Sequence, residues 1–224
     1  MKGKQIRQAC GLGLMLVLPY SASAASITNG SFSAGVGHLD GWSAITSDAG
    51  TINAPGDGTV ILATGDGTTS AIPAVLEQGD DGSFSFTNPL VITPNDLSLS
   101  FNAVFSESLI SGASASNPAG EVFNVYLYDA NSPASYLLTS IDASTAVTHF
   151  LFDLTAYQGL SVALSFELNH NNDGYTSQVA LSNVDIAQQT SAVVPEVETS
   201  LLFLVGLGNV IGFSRKVNRK KNNS

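Results

Sequence analysis

The sequence predicts an all-β fold, a sandwich or a barrel, on three observations. Apolar and polar residues alternate at a period of two along several stretches, the spacing that turns one face of a strand toward a core. Turn clusters separate these stretches: Pro55-Gly56-Asp57-Gly58, Gly65-Asp66-Gly67, Gly79-Asp80-Asp81-Gly82, Asn88-Pro89, Asn117-Pro118 and Asn171-Asn172-Asp173-Gly174. Gly, Asn and Asp supply the positive φ that tight hairpins need. No long window carries the 3.6-residue period of an amphipathic helix.

The strands follow in chain order. TVILAT, from Thr59, is a short β-branched run. LSLSFNAVF puts Leu97, Leu99, Phe101, Ala103 and Phe105 on one face and Ser98, Ser100 and Asn102 on the other. Ser108 to Gly120 is a low-complexity loop. EVFNVYLYDA, from Glu121, and THFLFDLTAY, from Thr148, are rich in aromatic and β-branched residues, which favour strands. In LSVALSFELNH, Val162, Leu164, Phe166 and Leu168 alternate with Ser161, Ala163, Ser165 and Glu167, so Glu167 reads as facing solvent. QVALSNVDIAQ, ending at Gln188, closes the series.

The two ends of the chain read as addresses. Lys2, Lys4 and Arg7 precede an apolar run from Gly11 to Leu18, and Ala22-Ser23-Ala24 has the small-x-small form of a signal cleavage site. Residues 1–24 therefore read as a secretory signal helix, too short in its apolar core to span a bilayer, with a buried amphipathic helix as the alternative. The only cysteine, Cys10, leaves with it. The mature chain then has no thiol, which excludes disulfides, thiolate metal sites and cysteine nucleophiles.

Charge divides in the same way. All 8 Lys and Arg residues lie in the two ends, while all but two of the 18 acidic residues lie between Ala25 and Val194. Such a body cannot neutralise phosphates, which excludes nucleic acid as a partner. It repels anionic lipid and anionic polysaccharide unless cations bridge the two. Calcium is the one cofactor this leaves open, with Asp80, Asp81 and Asp173 in the Asp-Gly turns as candidate ligands. None of these turns has EF-hand spacing. Residues 25–187 have the length of one β-sandwich domain, and 188–193 form a polar linker.

The last segment, 194–221, has three parts. Val194-Pro195-Glu196 breaks the preceding structure. Leu201, Leu202, Phe203, Leu204, Val205, Leu207, Val210, Ile211 and Phe213 form an apolar helix interrupted by Asn209. Arg215, Lys216, Arg219, Lys220 and Lys221 end it as a basic stop. The run is shorter than the roughly 20 residues of a spanning helix. Transient insertion with the cations held on the cytoplasmic side fits it.

The order Val-Pro-Glu-x-Glu-Thr, Gly206-Leu207-Gly208, Gly212-Phe213 and a basic end resembles the PEP-CTERM sorting signal. Val197 stands where that signal has a second proline. The resemblance implies processing by an exosortase and delivery to the outer surface or extracellular matrix of a Gram-negative bacterium that makes exopolysaccharide. A plain C-terminal membrane anchor is the simpler alternative. A second resemblance runs through the body. SITNGSF, LDGW and FDLTAYQGLSVALSFELNHNNDGYTSQVALSNVDI are similar to the galactose-binding-like jelly roll of many carbohydrate-binding modules. It implies a jelly-roll-like antiparallel β-sandwich between the signal helix and the C-terminal hydrophobic helix. The structural calcium ligands of that family fall at Ser33 and Ser182 here, which disfavours that site.

No residue pattern points to catalysis. Trp42, the only tryptophan, reads as packing between sheets rather than as a sugar platform. His38, His149 and His170 share no ligand spacing, and His170 reads as a surface loop residue whose Asn-Asn-Asp-Gly neighbours are explained by turn chemistry. The body's glutamates are Glu77, Glu107, Glu121 and Glu167, and none stands out as half of a glycosidase pair. No nucleophile elbow, HExxH or phosphate loop is present. The expected role is a non-catalytic surface or biofilm-matrix protein associating with exopolysaccharide. The alternatives are a structural or protein-binding matrix component and, less favoured, a glycan hydrolase.

Overall fold

The computed structural model describes residues 25–65, 72–80, 86–109, 121–142, 148–170 and 175–189. The signal segment, with Ala22 and Ala24, and the C-terminal segment, with its sorting motif, apolar run and basic stop, lie outside the described residues. So do Asp81 and Asp173.

Within them the strands are β1 (Ser43–Thr46), β2 (Thr51–Asn53), β3 (Thr59–Ala63), β4 (Ala74–Gln78), β5 (Leu90–Val91), β6 (Asp96–Leu109), β7 (Phe123–Asp129), β8 (Ser135–Ile141), β9 (His149–Asp153), β10 (Ser161–Leu168) and β11 (Tyr175–Gln188). They form two antiparallel sheets. One runs β1-β4-β10-β7-β8, with β5 also paired to β10; the other runs β2-β3-β11-β6-β9. The chain crosses between the sheets repeatedly, as in a jelly roll. The expected β-sandwich is the observed architecture.

The alternation seen in the sequence sorts residues between core and surface. Val162, Leu164, Phe166 and Leu168 of β10 and Leu99, Phe101 and Ala103 of β6 are all buried. Phe166 joins the two sheets. Its ring lies 5.2 Å edge-on from Phe101 of the opposite sheet, 5.9 Å from Phe123 and 5.9 Å from Trp42. Such geometries add roughly 0.5–1.5 kcal/mol per pair beyond area burial. Trp42 is 8% exposed and also meets Phe32 at 5.4 Å, so it is a core residue, as its sequence context predicts.

Two glycines permit close chain crossings. A Cβ on Gly30 would lie 1.8 Å from the Val184 carbonyl oxygen, and the Val184 N–H donates to the Gly30 carbonyl at 3.0 Å. Gly79 (φ 97°) lets the chain leave the lane beside β10 after β4. The chain returns to that lane as β5, which pairs with the other end of β10.

Replacing Phe166 by Ala is expected to cost about 3–5 kcal/mol, read as a lowered urea midpoint and altered Trp42 fluorescence. Leu137→Ala, at a side chain 52% exposed on β8, is expected to stay within about 0.5 kcal/mol of the parent.

Candidate functional site

Directly opposed residues of an antiparallel ladder share a face. The register therefore sets Ser43, Glu77, Ser165 and Tyr126 in one row across β1, β4, β10 and β7. Val75, Glu167 and Asn124 form the next row, and Tyr128 stands opposite Ala163. This is the face of the sheet turned away from the Phe166 core.

The face is polar, yet little of it is exposed. Glu77 is 6% and Glu167 7% exposed. Tyr128 donates its hydroxyl to Glu167 Oε1 at 2.6 Å, and the Ser165 hydroxyl donates to the same oxygen at 3.3 Å. The Tyr126 and Tyr128 rings stack at 5.5 Å. Burial pushes the Glu77 carboxyl above the usual glutamate range; a hydrogen bond from Ser165 opposes this, and the negative charges of Asp80 and Glu167 add to it. The Tyr128 phenol is pushed well up by burial and by its bond to Glu167. Two carboxyl groups thus lie diagonal to one another on neighbouring strands, beside an aromatic pair.

A cleft of about 640 Å³ adjoins this row where β4 departs and β5 returns. Thr28, Trp42, Ser43, Asp80, Asn88 and Val91 border it. Gln78 fixes one wall, accepting from the Thr28 N–H at 3.1 Å and donating to the Thr28 and Gly41 carbonyls at 2.8 and 3.2 Å. The Ser43 hydroxyl donates to the Asp80 carbonyl at 2.7 Å.

The structure corrects two expectations from sequence. Glu167 faces away from the core, but it is buried under Tyr128 rather than bathed in solvent. His170 is not a surface loop residue: it is buried, with Nδ1 2.5 Å from Glu121 Oε1. In both cases a partner distant in sequence covers the group, which local periodicity does not register. The other histidines stay apart, with His149 Nδ1 2.9 Å from Asn102 Oδ1 and His38 Nδ1 3.3 Å from the Ser33 carbonyl. Glu77 was missed as a site residue because β4 (AVLEQ) carries no strand signal of its own.

Of the candidate calcium ligands, Asp80 borders the cleft. Among the described residues no group of three or more His, Cys, Asp or Glu side chains could hold a metal ion. The loop around Ser33 does not fit a cation. Asn29 Oδ1 accepts from the Ser33 and Ala34 N–H groups, and its Nδ2 donates to the Ala34 and His38 carbonyls. An amide gathers the carbonyls that calcium would need. Ser182 lies in the β11 ladder opposite Thr59 and Asn102.

Solved structures similar to this chain are carbohydrate-binding modules of family 29. A variant in complex with cellulohexaose is 11% identical, with a TM-score of 0.43, over 73% of this chain and 92% of its own. A variant in complex with mannohexaose is 10% identical, with a TM-score of 0.35, over 65% and 89%. No protein-family model and no curated protein matches the chain.

The Glu77 environment makes a stability prediction. Its folded pKa is raised above the ordinary value of 4.5, so above that value the unfolded chain releases its proton first and folding is progressively disfavoured. Relative to Glu77→Gln, the parent is expected to lose thermal stability as pH rises from about 4 toward neutrality. Glu77→Gln is expected to flatten that decline, with the two melting curves converging at the acid end.

Proposed function

We propose that this chain is an exported, non-catalytic glycan-binding protein of the cell surface or biofilm matrix, using the outer face of the β1-β4-β10-β7-β8 sheet. The observation that carries this reading is the stacked Tyr126–Tyr128 pair beside Glu77, Ser165 and Glu167. Aromatic faces receive the C–H faces of sugar rings, and carboxylates and hydroxyls bond to sugar hydroxyls. The adjoining cleft meets that face at Ser43.

The glycan is a neutral one. With no Lys or Arg between Gln8 and Ser214, nothing in the body pairs with a uronate or a phosphate. An anionic exopolysaccharide would need a bridging divalent cation such as calcium. Export by the signal segment, and sorting by an exosortase after transient insertion of residues 201–213, supply the route to the matrix. The sequence order of the two ends supports this part of the reading.

The diagonal Glu77 and Glu167 favour a second reading, glycan hydrolysis. Burial holds the Glu77 carboxyl protonated to higher pH, as a general acid requires, and Glu167, which accepts two hydroxyl bonds, stands beside it as the second carboxyl of the pair.

The exported chain is expected to be retained by the producer's neutral exopolysaccharide equally with calcium and with a chelator. Tyr126→Ala is expected to weaken retention about tenfold, the equivalent of about 1.4 kcal/mol. Retention unchanged by both Tyr126→Ala and Glu167→Gln would remove the site from this face. No retention at all would leave a structural or protein-binding matrix component. Release of reducing ends, abolished by Glu77→Gln, would establish the hydrolase instead.

A further inference from the structure

Asp96 opens β6 and is fully buried, at 0% exposure. Its Oδ2 accepts three hydrogen bonds: from the Thr93 N–H at 2.6 Å, the Thr93 hydroxyl at 2.9 Å and the Ala25 N–H at 3.1 Å. Its Oδ1 is buried and has no partner. Folded proteins seldom leave a buried carboxylate oxygen in that state. No lysine or arginine of the body is available to complete it, since none occurs between Gln8 and Ser214. The three histidines are engaged at Ser33, Asn102 and Glu121.

Within residues 25–189 one further source of positive charge remains, the amino terminus that processing creates. Ala22-Ser23-Ala24 places the signal peptidase cut between Ala24 and Ala25, at the nitrogen that already donates to Asp96. Hydrolysis adds water across that amide. Ala24 leaves with the new carboxylate, and the Ala25 amine takes up a proton at neutral pH. A neutral amide with one N–H becomes a cation with three. The Gln188 side chain donates to the Ala25 carbonyl at 2.9 Å and keeps the residue in place. Ala25 also borders the cleft, from which water can reach the remaining hydrogen.

We propose that signal cleavage completes this fold: the new Ala25 ammonium forms a buried ion pair with Asp96 and gives Oδ1 the donor it lacks in the uncleaved chain. Removal of the signal is thereby a folding event as well as a release from the membrane. The pair is the domain's one cation–carboxylate contact that does not involve histidine, and it closes the pole where Ala25, the Thr93–Asp96 turn and Gln188 meet. The inference is independent of any glycan site.

The test compares the exported protein with a cytosolic form carrying two extra residues before Ala25. Amino-terminal sequencing of the exported form is expected to begin at Ala25. Its terminal amine is expected to react with an amine-selective reagent at least tenfold more slowly in the folded than in the denatured protein, whereas the extended form reacts equally in both states. The exported form is expected to unfold at higher urea than the extended one, and Asp96→Asn to abolish that difference. A mature terminus elsewhere, or an Ala25 amine as reactive folded as denatured, overturns the proposal. So does a difference between the two forms that survives Asp96→Asn. If Asp96→Asn does not fold, the labelling rates decide alone.

Discussion

The constraint behind this structure is a domain whose fixed charges are all negative. Without Lys or Arg in the body, its carboxylates turn mainly to hydroxyls and backbone N–H groups, with Glu121 meeting the His170 ring instead. The turns do this locally. Asp57 accepts from the Thr59 N–H and hydroxyl, Asp129 from the Asn131 N–H and the Ser132 hydroxyl, and Asp153 from the Thr155 N–H. These bonds hold all three carboxyls below their ordinary range. The Ser- and Thr-rich composition that looks like low information in the sequence is the chemistry that replaces salt bridges. Charge-assisted hydrogen bonds of this kind are stronger than neutral ones.

The same constraint shapes the candidate site. Two glutamates on neighbouring strands repel one another, and there is no cation between them. The repulsion is absorbed by Ser165 on β10, opposite Glu77, by the Tyr128 hydroxyl on Glu167 and by the raised proton affinity of Glu77. A face prepared in this way offers acceptors and aromatic surface but no cation.

The long strands were legible in the sequence because they are amphipathic on their own. β3, β7, β9 and β10 fall within stretches whose periodicity or composition marks them, while β6 and β11 run past theirs, β6 as far as Leu109 in what reads as a loop and β11 from Tyr175. β1, β2, β4, β5 and β8 were not legible. β4 has the sequence Ala-Val-Leu-Glu-Gln, with Ala, Glu and Gln in a strand, and its place between β1 and β10 comes from packing rather than propensity. Since Glu77 sits on β4, the site could not be assembled from sequence. Its second glutamate was visible, but the cover that Tyr128 provides depends on a register between residues 39 positions apart. Trp42 was legible because a Gly-Trp step beside a first strand usually packs inward, and Phe32 and Phe166 receive it.

Near one pole of the sandwich, Gln188 reaches the Ala25 carbonyl and the Gln189 N–H donates to the Asn95 carbonyl at 2.7 Å. The first and last described residues of the domain therefore leave it side by side. A domain with adjoining ends behaves as a cassette. Splicing it into a surface loop of a longer chain would not force the host's flanks apart, but it would keep the Ala25 nitrogen an amide and so forgo the proposed ammonium contact with Asp96.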